Sequence, residues 1–249
     1  MEKTVCIGVV SHKPYIMPKD DCYLPIWVGP NDSCPVGYCS HAEGDSIASL
    51  NSSYCELTGL YWLWKNVNAQ YKGLAHYRRI PASCPTKKIG QVLNGDDYIS
   101  ALQNADVLAA VAKRYPLATV QSHYINSKKS YQNIHEDDIS ALKQAMKSAG
   151  MDYCKALDGV LDGHKAHMLN IFCMREDMFN SYCSWLFNVL NIFYSLRSQR
   201  IDQKRFVGAM SEFLLDVWVL RNGLTLLESP LYQPEVCGLR RFSSLLLGR

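Results

Sequence analysis

The sequence lacks most of the patterns that mark well-known catalytic and structural frameworks. Its ten cysteines are scattered, with no Cys-x-x-Cys pair, so neither a disulfide scaffold nor a dithiol redox site is written into it. The first apolar stretch, Val5–Val10, is short and lacks a small-residue cleavage site, which predicts a strand and not a signal peptide. Nothing approaches the ~18 uninterrupted apolar residues of a membrane span, so the expected location is cytoplasmic, with reduced, buried thiols. Gly-x-Gly-x-x-Gly, a phosphate loop ending in Gly-Lys-Ser/Thr, His-Glu-x-x-His and Gly-x-Ser-x-Gly are all missing. Those absences argue against the usual nicotinamide oxidoreductases, P-loop NTPases, zincins and α/β-hydrolases. A strict Asp-x-Asp, the manganese signature of many sugar-nucleotide enzymes, is absent too. Charge of one sign is also scarce: 26 Lys+Arg against 23 Asp+Glu leave +3, dispersed along the chain. That argues against a basic RNA-binding domain and predicts no nucleic-acid partner.

The 249 residues are 48% apolar and 20% charged, a globular balance that needs no metal or disulfide staple. Strand patterns at Val5–Val10, Tyr23–Val28, Tyr71–Tyr77, Val107–Ala112, Ala166–Met174 and Leu224–Glu228 alternate with helical ones. The helical patterns cover Tyr54–Val67, Asp97–Ala105, Asp137–Ala149, Asp152–Leu161, Glu176–Leu196 and Phe206–Arg221. Residues 29–53 and 113–135 read as loops, the first long enough to suggest a binding segment. With no Pro/Gly/Ser linker, one α/β domain over residues 1–249 is expected, its tail from about 233 packing peripherally or lying on an anionic membrane surface.

Chemistry concentrates where strands end. In an open α/β sheet, ligands bind beyond the carboxyl ends of the strands. Val5–Val10 ends in His12 and Lys13, and Tyr71–Ala75 in His76, Arg78 and Arg79. Paired guanidiniums suit a diphosphate and would stabilise it as a leaving group. An arginine–carboxylate surface pair is the plainer reading of the same residues. Glu212 sits inside an apolar helix, where a carboxylate is costly unless partnered or functional. A base role and an ion pair with Arg205 or Lys204 fit it equally. Asp45 and Glu56 lie in or beside the long loop as rival carboxylates, and His123 and His135 lie in and at the end of the tyrosine-rich segment 115–135. Cys34, Cys39 and His41 form a zinc-like set, although a loop is the simpler reading. His164 and His167 are spaced for metal, yet they adjoin Gly163 as turn residues do.

Several strings resemble a bacterial polysaccharide-biosynthesis family, long a domain of unknown function. They are Ser11-His12-Lys13, Leu24-Pro25-Ile26-Trp27-Val28-Gly29, Asp45-Ser46-Ile47, the block from Asn51 through Glu56 to Trp64-Lys65-Asn66, and Gly73-Leu74 with His76-Tyr77-Arg78-Arg79. The likeness continues through Ser122-His123-Tyr124, Leu169-Asn170-Ile171-Phe172 and Arg205 to Leu214, nearly the whole chain. Phe213 stands where an arginine is usual, and residues 81–96 diverge. The family occurs in capsule, exopolysaccharide and O-antigen clusters and includes galactofuranosyltransferases that use UDP-galactofuranose. The resemblance implies a single GT-A-like α/β domain with a mixed, mostly parallel sheet flanked by helices. It implies a UDP-sugar donor, a lipid-linked glycan acceptor at the inner membrane face, and an inverting displacement. Glu212 is nominated as base, with Asp45 and Glu56 as rivals. His12, Lys13, His76, Arg78 and Arg79 are the expected diphosphate contacts, with Asn51 and His123 also on the donor side. No spacing implies a metal, so no cofactor is expected. A non-catalytic nucleotide-sugar or glycan-binding module of the same fold is the alternative.

Overall fold

A computed structural model describes residues 3–126, 134–150, 152–199 and 204–235. The strands are β1 (Lys3–Ser11), β2 (Tyr23–Trp27), β3 (Cys39–Ser40), β4 (Ala69–His76), β5 (Ile80–Pro81), β6 (Val107–Ala110), β7 (Lys113–Arg114), β8 (Lys165–Ala166), β9 (Phe172–Arg175), β10 (Leu226–Ser229) and β11 (Leu231–Tyr232). The helices are α1 (Asn51–Tyr54), α2 (Leu57–Asn66), α3 (Gly95–Asn104), α4 (Val120–Asn126), α5 (Glu136–Ser148), α6 (Cys154–Leu161), α7 (Glu176–Leu196), α8 (Phe206–Ser211) and α9 (Leu214–Asn222).

Seven strands form one sheet in the order β10-β6-β9-β4-β1-β2-β3. Every pairing is parallel except those of β9, which runs antiparallel to both β4 and β6. All strands but β9 therefore point the same way, and their carboxyl ends share one rim. The sheet is the expected mixed, mostly parallel one. Alternation along β1 sends Cys6 and Val10 into one core and Val5, Ile7 and Val9 into the other. The larger core packs under α2, α5 and α7, and the smaller lies under α3. Burial on both faces explains why β1 reads as a continuous apolar run and not as an alternating one.

Two close approaches bring functional segments to the rim. A Cβ at Gly59 would sit 2.5 Å from a Val10 methyl, so glycine lets α2 settle on the ends of β1 and β2. At Gly208 a Cβ would meet the Tyr54 carbonyl at 3.1 Å, and its absence lets α8 lie against α1.

The structure departs from the sequence pattern where polar residues meet the rim. The helix expected over 54–67 is broken at Cys55 (φ 52°), and the one expected over 206–221 is interrupted at Glu212 and Phe213. The strand expected over 166–174 is a two-residue strand, a turn with Leu169 and Asn170 at positive φ, and then β9. The region expected as loop over 113–135 contains α4, started by reciprocal bonds: Thr119 N–H to Ser122 Oγ (2.9 Å) and Ser122 N–H to Thr119 Oγ1 (3.1 Å). No described helix is long and apolar enough to cross a membrane. The tail reading of 233–249 lies largely outside the described residues.

Candidate active site

The rim beyond β1 and β4 holds a cavity of about 400 Å³. Its arginine wall is a tight turn after β4. His76 N–H donates to the Arg79 carbonyl (3.1 Å) and Arg79 N–H to the His76 carbonyl (2.8 Å), while Tyr77 N–H is held by the Val10 carbonyl (3.2 Å). Tyr77 is buried under this turn, edge-on to His12 and Tyr15, with the Arg78 guanidinium 4.9 Å from its ring. The turn leaves His76, Arg78 and Arg79 lining the cavity, and His12 joins them from the end of β1.

The acidic wall comes from the α1–α2 break and the end of α8, which supply Glu56 and Glu212. Asn170 Nδ2 donates to Glu56 Oε1 (2.9 Å) and lies equally close to Ser211 Oγ. Tyr124 donates its hydroxyl to Glu212 Oε2 at 2.6 Å. Burial, then the neighbouring Glu212, push the Glu56 carboxyl up to about 7 against an Asn170 bond and Arg205 that pull it down. The imidazoles are affected in the opposite sense. Burial and then Arg79 hold His76 down to about 3, and burial with Lys13, Arg78 and Arg205 lowers His12. Both rings are neutral near pH 7, so the positive charge of the site resides on its guanidiniums.

Of the residues expected from sequence, His12, Asn51, Glu56, His76, Arg78, Arg79 and Glu212 line this one cavity. Three are placed elsewhere. Lys13 is exposed just past the cavity's edge, its backbone bonded to the Ser11 hydroxyl. Asp45 is exposed on the outer side of α2, accepting from Tyr61 (3.1 Å), with its backbone clasped by Asn66. His123 is exposed against Tyr115, and its neighbour Tyr124 is the one that reaches the acidic wall. Glu212 has no ion pair to Arg205 or Lys204 within 4 Å among the described residues; a tyrosine occupies that role. His164 bonds the Ala118 carbonyl (2.8 Å), and His135 opens α5. No group of three metal-capable side chains occurs among the described residues, the Cys34, Cys39 and His41 set included.

Sequence reasoning missed Arg205, Asn170 and Tyr124 as site residues. Backbone strain is what identifies the first two. The positive-φ non-glycine residues described are Cys55, Leu169, Asn170 and Arg205, and every one lines the cavity or bonds a residue that does. Such conformations cost of order 1–3 kcal/mol each and collect at functional sites. The Cys55 thiol itself is pushed up to about 12 by burial, which leaves it unreactive.

The mixed-sheet fold that carries this cavity, with guanidiniums on one wall and paired carboxylates on the other, is similar to that of a solved glycosyltransferase. It matches a solved apo structure of WbbM, a bifunctional glycosyltransferase, with a TM-score of 0.81 and 25% identity, over 94% of this chain and 46% of that one. This chain thus spans about half the length of that protein. The chain belongs to the family described as domain of unknown function DUF4422, whose model matches residues 6–223. No curated protein sequence matches it.

Proposed function

We propose that this chain transfers a sugar from a nucleotide diphosphate donor to an acceptor hydroxyl. The observation that carries the reading is the single cavity joining Arg78, Arg79 and Arg205 to Glu56 and Glu212. Guanidiniums bind phosphate oxygens through paired N–H donors and offset the charge that develops on a departing diphosphate. A carboxylate facing them takes the proton of the incoming hydroxyl. Glu212 is the base in this scheme. Its charge is one reason Glu56 keeps a proton up to about pH 7, and Tyr124 occupies one of its oxygens and leaves the other for the acceptor. His12 acts as a neutral hydrogen-bonding group beside the phosphates, and His76 bonds the Leu169 backbone in the cavity wall.

The finer assignment rests on the resemblance described above. The donor is UDP-galactofuranose and the acceptor a lipid-linked glycan of cell-surface polysaccharide synthesis. A β-linkage formed in one inverting displacement breaks the bond from the anomeric carbon to the diphosphate as the acceptor oxygen bonds that carbon. The acceptor proton passes to Glu212.

UDP release in the presence of UDP-galactofuranose and a glycan acceptor tests the reading. Glu212→Gln is expected to keep UDP affinity and lose turnover at least 100-fold, in the range of general-base removal. A near-normal rate passes the base role to Glu56. Binding of the donor without turnover by the unaltered chain favours a non-catalytic module.

A further inference from the structure

A second cavity, of about 420 Å³, adjoins the first and shares Asn51 with it. It lies beyond the ends of β2 and β3. Gly29, Pro30, Ala42 and Ala48 line it with little polarity, and His41 and Asn31 supply its polar groups. Walls of glycine, proline and alanine suit a flat ring better than a sugar, whose hydroxyls would need more partners.

The proton positions on its polar wall follow from the hydrogen bonds. Thr58 Oγ1 lies 2.7 Å from His41 Nδ1, 2.9 Å from the Cys55 carbonyl and 3.2 Å from Asn51 Oδ1. Asn51 cannot be turned over, because its Nδ2 donates to the Val28 carbonyl at 2.9 Å. The hydroxyl therefore faces two pure acceptors and spends its only proton on one of them. The remaining contact requires His41 Nδ1 to be the donor. Burial lowers the His41 pKa, so the ring is neutral and Nε2 carries a lone pair. Among the described residues Nε2 has no hydrogen-bond partner, and His41 forms part of the cavity lining. Beside it, Asn31 Oδ1 is taken by the Ser40 hydroxyl at 2.6 Å, which leaves the Asn31 NH₂ to donate.

We infer that His41 is a specificity-determining residue that reads the donor's nucleobase, accepting the ring N–H of uracil while Asn31 donates to an adjacent carbonyl. The inference rests on the diphosphate reading of the first cavity. Two cavities meeting at Asn51 accommodate the two ends of one nucleoside diphosphate. Uracil carries a ring N–H flanked by carbonyls. Cytosine presents a lone pair at the same ring position and would set it against that of Nε2, an unpaired contact that costs affinity.

Calorimetric titration of the whole chain with UDP, CDP and inorganic pyrophosphate tests this. The unaltered chain is expected to bind UDP about tenfold or more tighter than CDP. His41→Phe should bring UDP and CDP to within about twofold of each other and leave pyrophosphate within about twofold of its original affinity. Because His41 is buried, a second variant guards against misfolding: Ala48→Trp fills the slot without touching the Thr58 network. It should weaken UDP about tenfold or more and spare pyrophosphate. Equal binding of UDP and CDP, or discrimination that survives His41→Phe, overturns the assignment while pyrophosphate binding keeps the diphosphate reading. Failure of pyrophosphate and both nucleotides to bind overturns both.

Discussion

Glu56 and Glu212 face one cavity, and the acidity of Glu56 reflects that placement. Its folded value of about 7 lies above the ordinary 4.5 because burial and a like charge both oppose ionisation. A carboxyl with a raised folded pKa contributes stability that is complete below the unfolded pKa and is lost as pH rises through the folded one. The loss for Glu56 thus runs from about pH 4.5 to about pH 7. Glu56→Gln keeps the acceptor oxygen for Asn170 and removes the charge. It is expected to be more stable than the parent at pH 8 by up to about 3 kcal/mol, with the gain vanishing near pH 4.5. Urea melts at the two pH values check it, and equal differences at both would show that the carboxylate is compensated in the fold. The strained neighbours make the same point. Cys55, Leu169, Asn170 and Arg205 hold backbone conformations that side chains disfavour, and this strain shapes the site, since Cys55, Leu169 and Arg205 line the cavity and Asn170 bonds Glu56.

At the level of elements, regular packing was legible in the sequence and the site's breaks were not. Apolar spacing along Glu176–Leu196 matches α7 residue for residue, because one face of that helix is buried along its length. The same logic predicts continuous helices over 54–67 and 206–221. It fails at Cys55 and at Glu212–Phe213, because periodicity reports burial and says nothing of a turn that re-aims one carboxylate. His76, Arg78 and Arg79 were legible since a strand's end in a parallel sheet is a known place for a ligand. Asn170 and Tyr124 were not, since their role depends on a turn and a helix of about two turns that bring them to residues 114 and 88 positions away in sequence. The turn carrying Asn170 is clasped by His167. Its N–H donates to Asp216 Oδ2 (2.7 Å), and its ring bridges Asp216 Oδ1 (2.5 Å) on α9 and Glu228 Oε1 (3.1 Å) on β10. Burial pulls the His167 pKa down, but the two carboxylates outweigh it and the net shift is upward. The clasp therefore stabilises fully below the unfolded value of about 6.5 and weakens as pH rises through the higher folded one. His167→Gln is expected to lose roughly 1–3 kcal/mol at pH 6, with a smaller deficit at pH 9. A deficit independent of pH, measured by denaturant melts, would assign the clasp to neutral hydrogen bonds alone.

Across the whole molecule, the two arginines of the rim turn are not equivalent, although they adjoin in sequence. Arg78 is paired with Glu235, just after β11, at 2.8 Å, and both side chains are substantially exposed. Arg79 forms no ion pair within 4 Å among the described residues, and burial with the adjacent Arg78 lowers its pKa. A guanidinium enclosed beside another cation is held at a cost that a bound diphosphate removes, whereas Arg78 must exchange one anion for another. Arg79→Ala should therefore weaken UDP more than Arg78→Ala, by the roughly 1.5–3 kcal/mol of a charge-assisted bond against a smaller loss. Glu235→Gln should tighten UDP severalfold by freeing Arg78, and that gain should disappear when Arg78→Ala is added, since contacting residues couple in a double-mutant cycle. Thermal shift provides the readout, because a ligand that binds only the folded chain stabilises it by about 2.7 kcal/mol at one hundred times its Kd. Equal losses at both arginines, with Glu235→Gln silent, would place the diphosphate deeper in the cavity, against Arg79 and Arg205, and leave the chain after β11 outside the binding event.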